Sequence, residues 1–209
     1  MRPFLILIIA VIVGGCAGRQ PEPPMTGTTY RSGLGNFTCL VPALARPGAR
    51  VQQRSDSDSS EVLFSDDLGR LLRIESERWP ADMMPLLAAD QLPSTLDSLF
   101  DRTVFNDLFW AVSPEASILD RGHVTTAAGP ALYAMVNIPN GSTLADASTG
   151  RRFESKRGVL LLFKNGFLYV ISNQEWPVGT KVHTGNVHDR SARLLDDLQQ
   201  VVADMGFAG

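Results

Sequence analysis

Val159-Leu160-Leu161-Leu162-Phe163, Lys164-Asn165-Gly166 and Phe167-Leu168-Tyr169-Val170-Ile171 form the stretch whose reading decides the fold. Both flanks are rich in branched and aromatic residues, and Asn165-Gly166 suits the positive φ values of a tight hairpin turn. The flanks are apolar almost throughout, where a half-exposed strand would alternate. The reading therefore predicts two antiparallel strands at the centre of a sheet, covered on both faces for much of their length. Trp176-Pro177 ends the second of them.

Two helices are expected to supply the cover. Leu96, Leu99, Phe100, Val104 and Leu108 recur at three- and four-residue steps, with Ser94 as a cap and Asp97 beside the positive end of the dipole. This spacing predicts a helix from Ser94 to about Trp110, lying across a sheet face, which Pro114 prevents from continuing. The closing helix begins near Asp189, carries Leu194, Leu195, Leu198, Val201, Val202 and Met205 on one face, and stops at Gly206.

Further strands are expected at Phe37–Val41, from Arg50, at Glu61–Ser65, at 70–76 and at Ala131–Ile138. In the run Leu72-Arg73-Ile74-Glu75 apolar and charged residues alternate, so one face of that strand is wet. Ser55 to Ser60, six small polar residues with two carboxylates, read as a solvated hairpin loop, since they lack the glycine bend and distal Glu of a calcium loop. Met83, Met84, Pro85 and Leu86 read as an apolar packed connection, and 142–157 as a long exposed loop. Strict strand-helix alternation is missing. The fold class is therefore α+β: a mainly antiparallel sheet with two main helices packed on it, in a single domain at 36–209.

The amino terminus is organised differently. Met1-Arg2-Pro3 precedes Phe4 to Val13, ten residues without a charge, and Gly14-Gly15-Cys16 follow. A positive start, a short apolar run and small residues at its end are the parts of an export signal. Ten residues fall well short of the ~20 that span a bilayer. The motif Val13-Gly14-Gly15-Cys16 resembles the lipobox of bacterial lipoproteins. That resemblance implies cleavage before Cys16, giving a signal peptide at 1–15, a covalent lipid on the Cys16 sulfur and a membrane anchor. With Ala17 after the cysteine, where an Asp would favour inner-membrane retention, it implies the periplasmic face of the outer membrane. Pro21, Pro23, Pro24 and several small polar residues follow, so 16–35 reads as a tether. Tyr30 and Leu34 are the residues of that segment able to pin its end onto the domain.

Composition bounds the function. Hydrophobic residues make up 44% of the chain, which suits a packed core, and the net charge of −3 is not that of a nucleic-acid binder. If Cys16 carries lipid, Cys39 has no partner within the chain, and its place in Phe37-Thr38-Cys39-Leu40-Val41 makes it a core residue. His183 and His188 with Asp189 form a polar cluster, but their spacing is not that of ligands on one helix face, so neither a metal site nor another cofactor is expected. Asp189 suits an N-cap there. No nucleophile motif or phosphate-binding glycine loop is present, and no catalytic residue is assigned. Arg151, Arg152, Lys156 and Arg157 concentrate positive charge in the predicted loop, a candidate contact for anionic lipid or an acidic partner.

Element order over about residues 36 to 205 resembles the PsbP-like fold, a sheet flanked by helices found in small exported or lipid-anchored proteins. The resemblance implies binding or assembly more readily than catalysis. The expected role is an accessory or docking protein with an envelope protein as partner. The alternatives are a module for a small apolar ligand between helix and sheet, or an enzyme whose site is assembled from distant residues.

Overall fold

Asn165 and Gly166 both take positive φ, 50° and 78°, and close the predicted hairpin in the computed structural model. The structure describes residues 25–26, 29–40, 49–67, 69–111, 113–142, 144–174 and 186–208. Cys16, the rest of the export signal, Trp176-Pro177 and His183 lie outside the described residues. The strands of the hairpin are β9 (Ser155–Lys164) and β10 (Phe167–Gln174). The other strands of the same sheet are β4 (Arg50–Ser55), β5 (Ser59–Ser65), β6 (Leu71–Arg78), β7 (Ser117–Thr126) and β8 (Gly129–Ile138). Their order is β4-β5-β6-β10-β9-β8-β7, antiparallel at every pairing, so β10 occupies the middle of seven strands. The expected central position and two-sided burial of this hairpin are what the structure shows.

One face of the sheet carries Val62, Ile74, Tyr133, Leu160, Leu162, Tyr169 and Ile171 against Leu194, Leu198 and Val202 of α2 (Val187–Ala203). Tyr133 Oη donates to the Ser191 carbonyl at 2.9 Å and Asn173 Nδ2 donates to that of Leu194 at 3.4 Å, which fixes the helix along the strands. Asn186 caps α2 through Oδ1, which accepts the Asp189 N–H at 2.9 Å. The helix thus starts before the expected Asp189, because Asn186 is the residue in extended conformation with a side chain that can reach back into the first turn. Gly158 lets α2 approach: a Cβ there would stand 2.7 Å from Asn173 Oδ1 and 3.0 Å from Leu194 Cβ. Gly158→Ala is therefore expected to cost about 1–3 kcal/mol in urea unfolding, the range for overpacking a filled core.

A second, small sheet completes this layer. Its strands β1 (Met25–Thr26), β2 (Thr29–Arg31), β3 (Phe37–Leu40) and β11 (Gly206–Phe207) stand in the order β1-β2-β3-β11. Tyr30 and Phe37 are both fully buried, and Tyr30 meets the Phe64 ring edge-on at 5.5 Å. Cys39 is buried with them as the core reading expects, and burial pushes its thiol up to about 12. The pairing of β11 with β3 sets Gly206 and Phe207 beside Thr38 and Phe37.

The opposite face is covered by α1 (Leu92–Leu99) and its π-helical continuation Phe100–Trp110. Leu96, Phe100, Val104 and Phe109 are buried against Leu132, Val136, Val159, Leu161 and Val170. Two details correct the sequence reading. Pro93 sits in the first turn, where its missing N–H costs nothing, so the helix begins at Leu92 and the Ser94 hydroxyl donates back to the Gln91 carbonyl in place of capping. The wider π turn then carries Phe109 into the core where a regular helix would have placed Leu108.

The connection before α1 also differs from expectation. Trp79 packs against Phe163 at 4.7 Å and donates its Nε1–H to the Met83 carbonyl at 3.1 Å. With the tryptophan filling that place, Ala81–Leu87 folds as a 3-10 turn outside it, and Met84 and Leu86 are exposed. No helix among the described residues is long and apolar enough to cross a membrane.

Candidate functional site

The helix-covered face changes character from one side of the sheet to the other. Alternation along β9 and β10 puts Val159, Leu161 and Val170 under the helix. Across the register, Val170 stands opposite Glu75 and Ser172 opposite Arg73, while Glu75 faces Glu61 and Arg73 faces Leu63. The same surface is thus apolar over β8 and β9 and charged over β6 and β5. The helix covers the first half, and the second holds a cluster of half-buried charges.

Arg73 organises that cluster. Its Nε lies 2.9 Å from Glu61 Oε1 and 2.5 Å from Glu75 Oε1, with the Arg73 side chain 24% exposed. Two carboxylates on neighbouring strands therefore share one guanidinium. Burial pushes the Glu75 carboxyl up to about 7; the Arg73 charge pulls against this and the Glu61 charge adds to it. Glu75 and Arg73 were expected on a wet face, and the structure makes it partly enclosed and strongly coupled. The signal was present in the sequence: counting back from the turn between β5 and β6 sets Glu61 against Glu75.

Arg157 adds a half-buried charge to this face, on which Glu77 also lies. The long loop expected over 142–157 ends earlier, because β9 begins at Ser155, so Lys156 and Arg157 are strand residues. Lys156 pairs with Glu154 at 3.2 Å. Arg157 shares the side of β9 that carries Val159 and Leu161, and its Nη2 donates to the Gly141 carbonyl and to Gln174 Oε1, each at 3.3 Å. Burial, with the Arg73 charge, pulls the guanidinium down to about 10. The four-cation contact loop is thereby divided: Arg151 and Arg152 remain exposed beside exposed Phe153, and Lys156 and Arg157 belong to the sheet.

The loop itself is ordered by its own turn. Asp146 Oδ1 accepts the Ser148 and Thr149 backbone N–H groups at 2.9 and 2.8 Å, and Ala145 bridges to Arg152. The Ser148 hydroxyl, together with these backbone bonds and the Thr149 hydroxyl, holds the Asp146 carboxyl down to about 2. Arg151 and Arg152 are thus presented from a small built hairpin. Exposed Ile118 and Leu119 open β7 at the same end of the sheet, where Ser117 pairs with Asn137.

His188 and Asp189 are exposed on the first turn of α2 and take part in no described cluster. Among the described residues the histidine that meets a carboxylate is His123, which the sequence reading left without a role. Its Nε2 lies 3.1 Å from Asp97 Oδ2, and Arg121 bonds both Asp97 and Asp101, the latter at 2.6 Å. Burial alone would raise the Asp97 carboxyl, but the bonds from Arg121 and His123 outweigh it and hold the group below its ordinary range. The Arg121 guanidinium also lies 5.0 Å over the Phe100 ring. Asp97, read as a dipole partner, instead clamps α1 onto edge strand β7. Among the described residues no group of three His, Cys, Asp or Glu side chains is placed to hold a metal ion.

The chain is thus an α+β protein with antiparallel sheets and helices on both sides of the larger one. It is similar to the solution structure of cyanobacterial PsbP (CyanoP) from Synechocystis sp. PCC 6803, with 12% identity, a TM-score of 0.45, and coverage of 94% of this chain and 99% of that one. It is also similar, at 12% identity and a TM-score of 0.45, to a crystal structure from Bacteroides thetaiotaomicron VPI-5482, covering 88% of this chain. The likeness spans half of that second protein's length. No family model and no curated protein matches the chain.

Proposed function

We propose that this is a lipid-anchored protein of the bacterial cell envelope whose domain docks on another envelope protein, in an accessory or assembly role without catalysis of its own. One observation carries the proposal: Val13-Gly14-Gly15-Cys16 closes a ten-residue uncharged run and opens a proline-bearing segment. Cys16 takes the lipid, the proline-bearing residues that follow it supply reach, and the domain, into whose small sheet Tyr30 pins the end of the 16–35 segment, meets the partner on the periplasmic face of the outer membrane. Acyl chains add ~0.8 kcal/mol per buried CH₂, so two or three on one cysteine hold the protein without help from the domain. The docking surface is the hairpin that presents Arg151, Arg152 and Phe153, two cations and an aromatic ring, to an acidic surface with an apolar spot. The aromatic helix that suggested an apolar-ligand module places Phe100 and Phe109 on the sheet, which favours docking over a ligand site there.

In-cell cross-linking tests this reading, with the anchored protein compared with a Cys16→Ser form and with an Arg151→Glu, Arg152→Glu form. The expected result is one envelope protein captured by the anchored chain, reduced in both variants. Equal capture by all three forms would contradict it.

A further inference from the structure

We propose that Arg157 and Ser155 form a binding site for a monovalent carboxylate on the sheet face beside the helix. The two residues lie two apart on β9, so both side chains take the face that carries Val159 and Leu161. Among the described residues Arg157 is a cation of this face that forms no ion pair. Glu61 and Glu75 on the same face are both held by Arg73, and no ion pair joins either to Arg157. Its bonds go to two neutral acceptors, the Gly141 carbonyl and Gln174 Oε1, and its Nε is buried with no partner. Gln174 has nothing further to offer, since its Nε2 donates to the Gly69 carbonyl at 3.0 Å.

A half-buried guanidinium bonded only to neutral groups keeps most of its desolvation penalty, and an anion relieves it. The second observation comes from the neighbouring hydroxyl. Ser155 is 2% exposed and its Oγ has no hydrogen-bond partner, although a hydroxyl can always turn to meet an acceptor. A carboxylate has two oxygens, one for the guanidinium and one for the hydroxyl, and satisfies both vacancies with a single group. Charge selects carboxylate over phosphate. One guanidinium and one neutral hydroxyl match a single negative charge on two oxygens, whereas a phosphate dianion brings a second charge and further oxygens that this pair leaves unmet. The site is separate from the hairpin that carries Arg151 and Arg152.

The test is a nitrogen-15 NMR titration of the full chain in detergent, following the Arg157 Nε–H signal, with butyrate, inorganic phosphate and chloride compared at equal ionic strength. Butyrate is expected to give a saturable shift, with phosphate weaker. Ser155→Ala removes a hydroxyl that supports nothing else, so the fold is kept while butyrate affinity falls by roughly two- to tenfold, the worth of one hydrogen bond. Arg157→Lys keeps the charge but not the fork, and the saturable response of the Gly158 and Gln174 amides is expected to be lost. A shift that grows linearly and equally with all three anions would overturn the site, as would unchanged butyrate affinity in Ser155→Ala.

Discussion

Phe100→Ala is expected to destabilise the folded chain by about 3–5 kcal/mol, the range for removing a buried aromatic ring. Phe100 is fully buried at the point where α1 passes into its π-helical continuation, packed with Leu96 and Val104 over the sheet. Its ring also lies under the Arg121 guanidinium, whose bonds to Asp97 and Asp101 clamp the helix to β7. Truncation therefore removes apolar contact and loosens the clamp. Urea unfolding at neutral pH measures the loss, and an unchanged denaturant slope would place the effect in the folded state's stability. Trp110 serves as the comparison, since it is 52% exposed and its replacement by alanine is expected to stay within about 0.5 kcal/mol. Equal losses at the two positions would contradict the packing described here.

Glu75→Gln is expected to stabilise the chain above neutral pH. The folded-state value for Glu75 is about 7, raised from 4.5 chiefly by burial. A group raised in this way favours the folded state fully below about pH 4.5, and that contribution is lost as pH rises through about 7. At higher pH the fold must carry an ionised glutamate that the unfolded chain would solvate. The gap between the two values corresponds to about 3 kcal/mol. Glutamine resembles the protonated form, so the variant is expected to gain up to that amount at pH 8 and to match the parent near pH 4. Chemical unfolding across this window checks it. A parent whose stability does not fall between pH 5 and 8, relative to the variant, would show that Arg73 offsets the burial of Glu75 completely.

What was legible in the sequence followed from period and punctuation. The hairpin around Asn165-Gly166 announced its central place because both flanks were apolar at every step, and α2 announced its inward face through Leu194, Leu198 and Val202. The start of α1 was misplaced because a capping serine outranked a proline that fits the first turn, and the shift from Leu108 to Phe109 followed from a π turn that no local residue signals. β11 escaped notice because two residues after a helix carry no period at all.

The charged face was less legible for a different reason. Arg73, Glu75, Glu61 and Arg157 come from three strands, and each reads alone as an ordinary exposed charge. Only the pairing of β5 with β6, β6 with β10 and β10 with β9 brings them onto one surface. Arg157 was further obscured because it followed a run of polar loop residues, although it shares the parity of Val159 and Leu161. Asp97 likewise meets Arg121 and His123 only through the packing of α1 on β7.

The proposed anchor at Cys16 is the centre of the functional reading, and intact mass spectrometry of the protein extracted from the membranes of its own cells tests it most directly. The account predicts a mature chain that begins at Cys16 and carries the mass of a diacylglycerol and a further acyl group on that residue. A chain that retains residues 1–15, or one that begins at or after Cys16 with no added lipid mass, would contradict it.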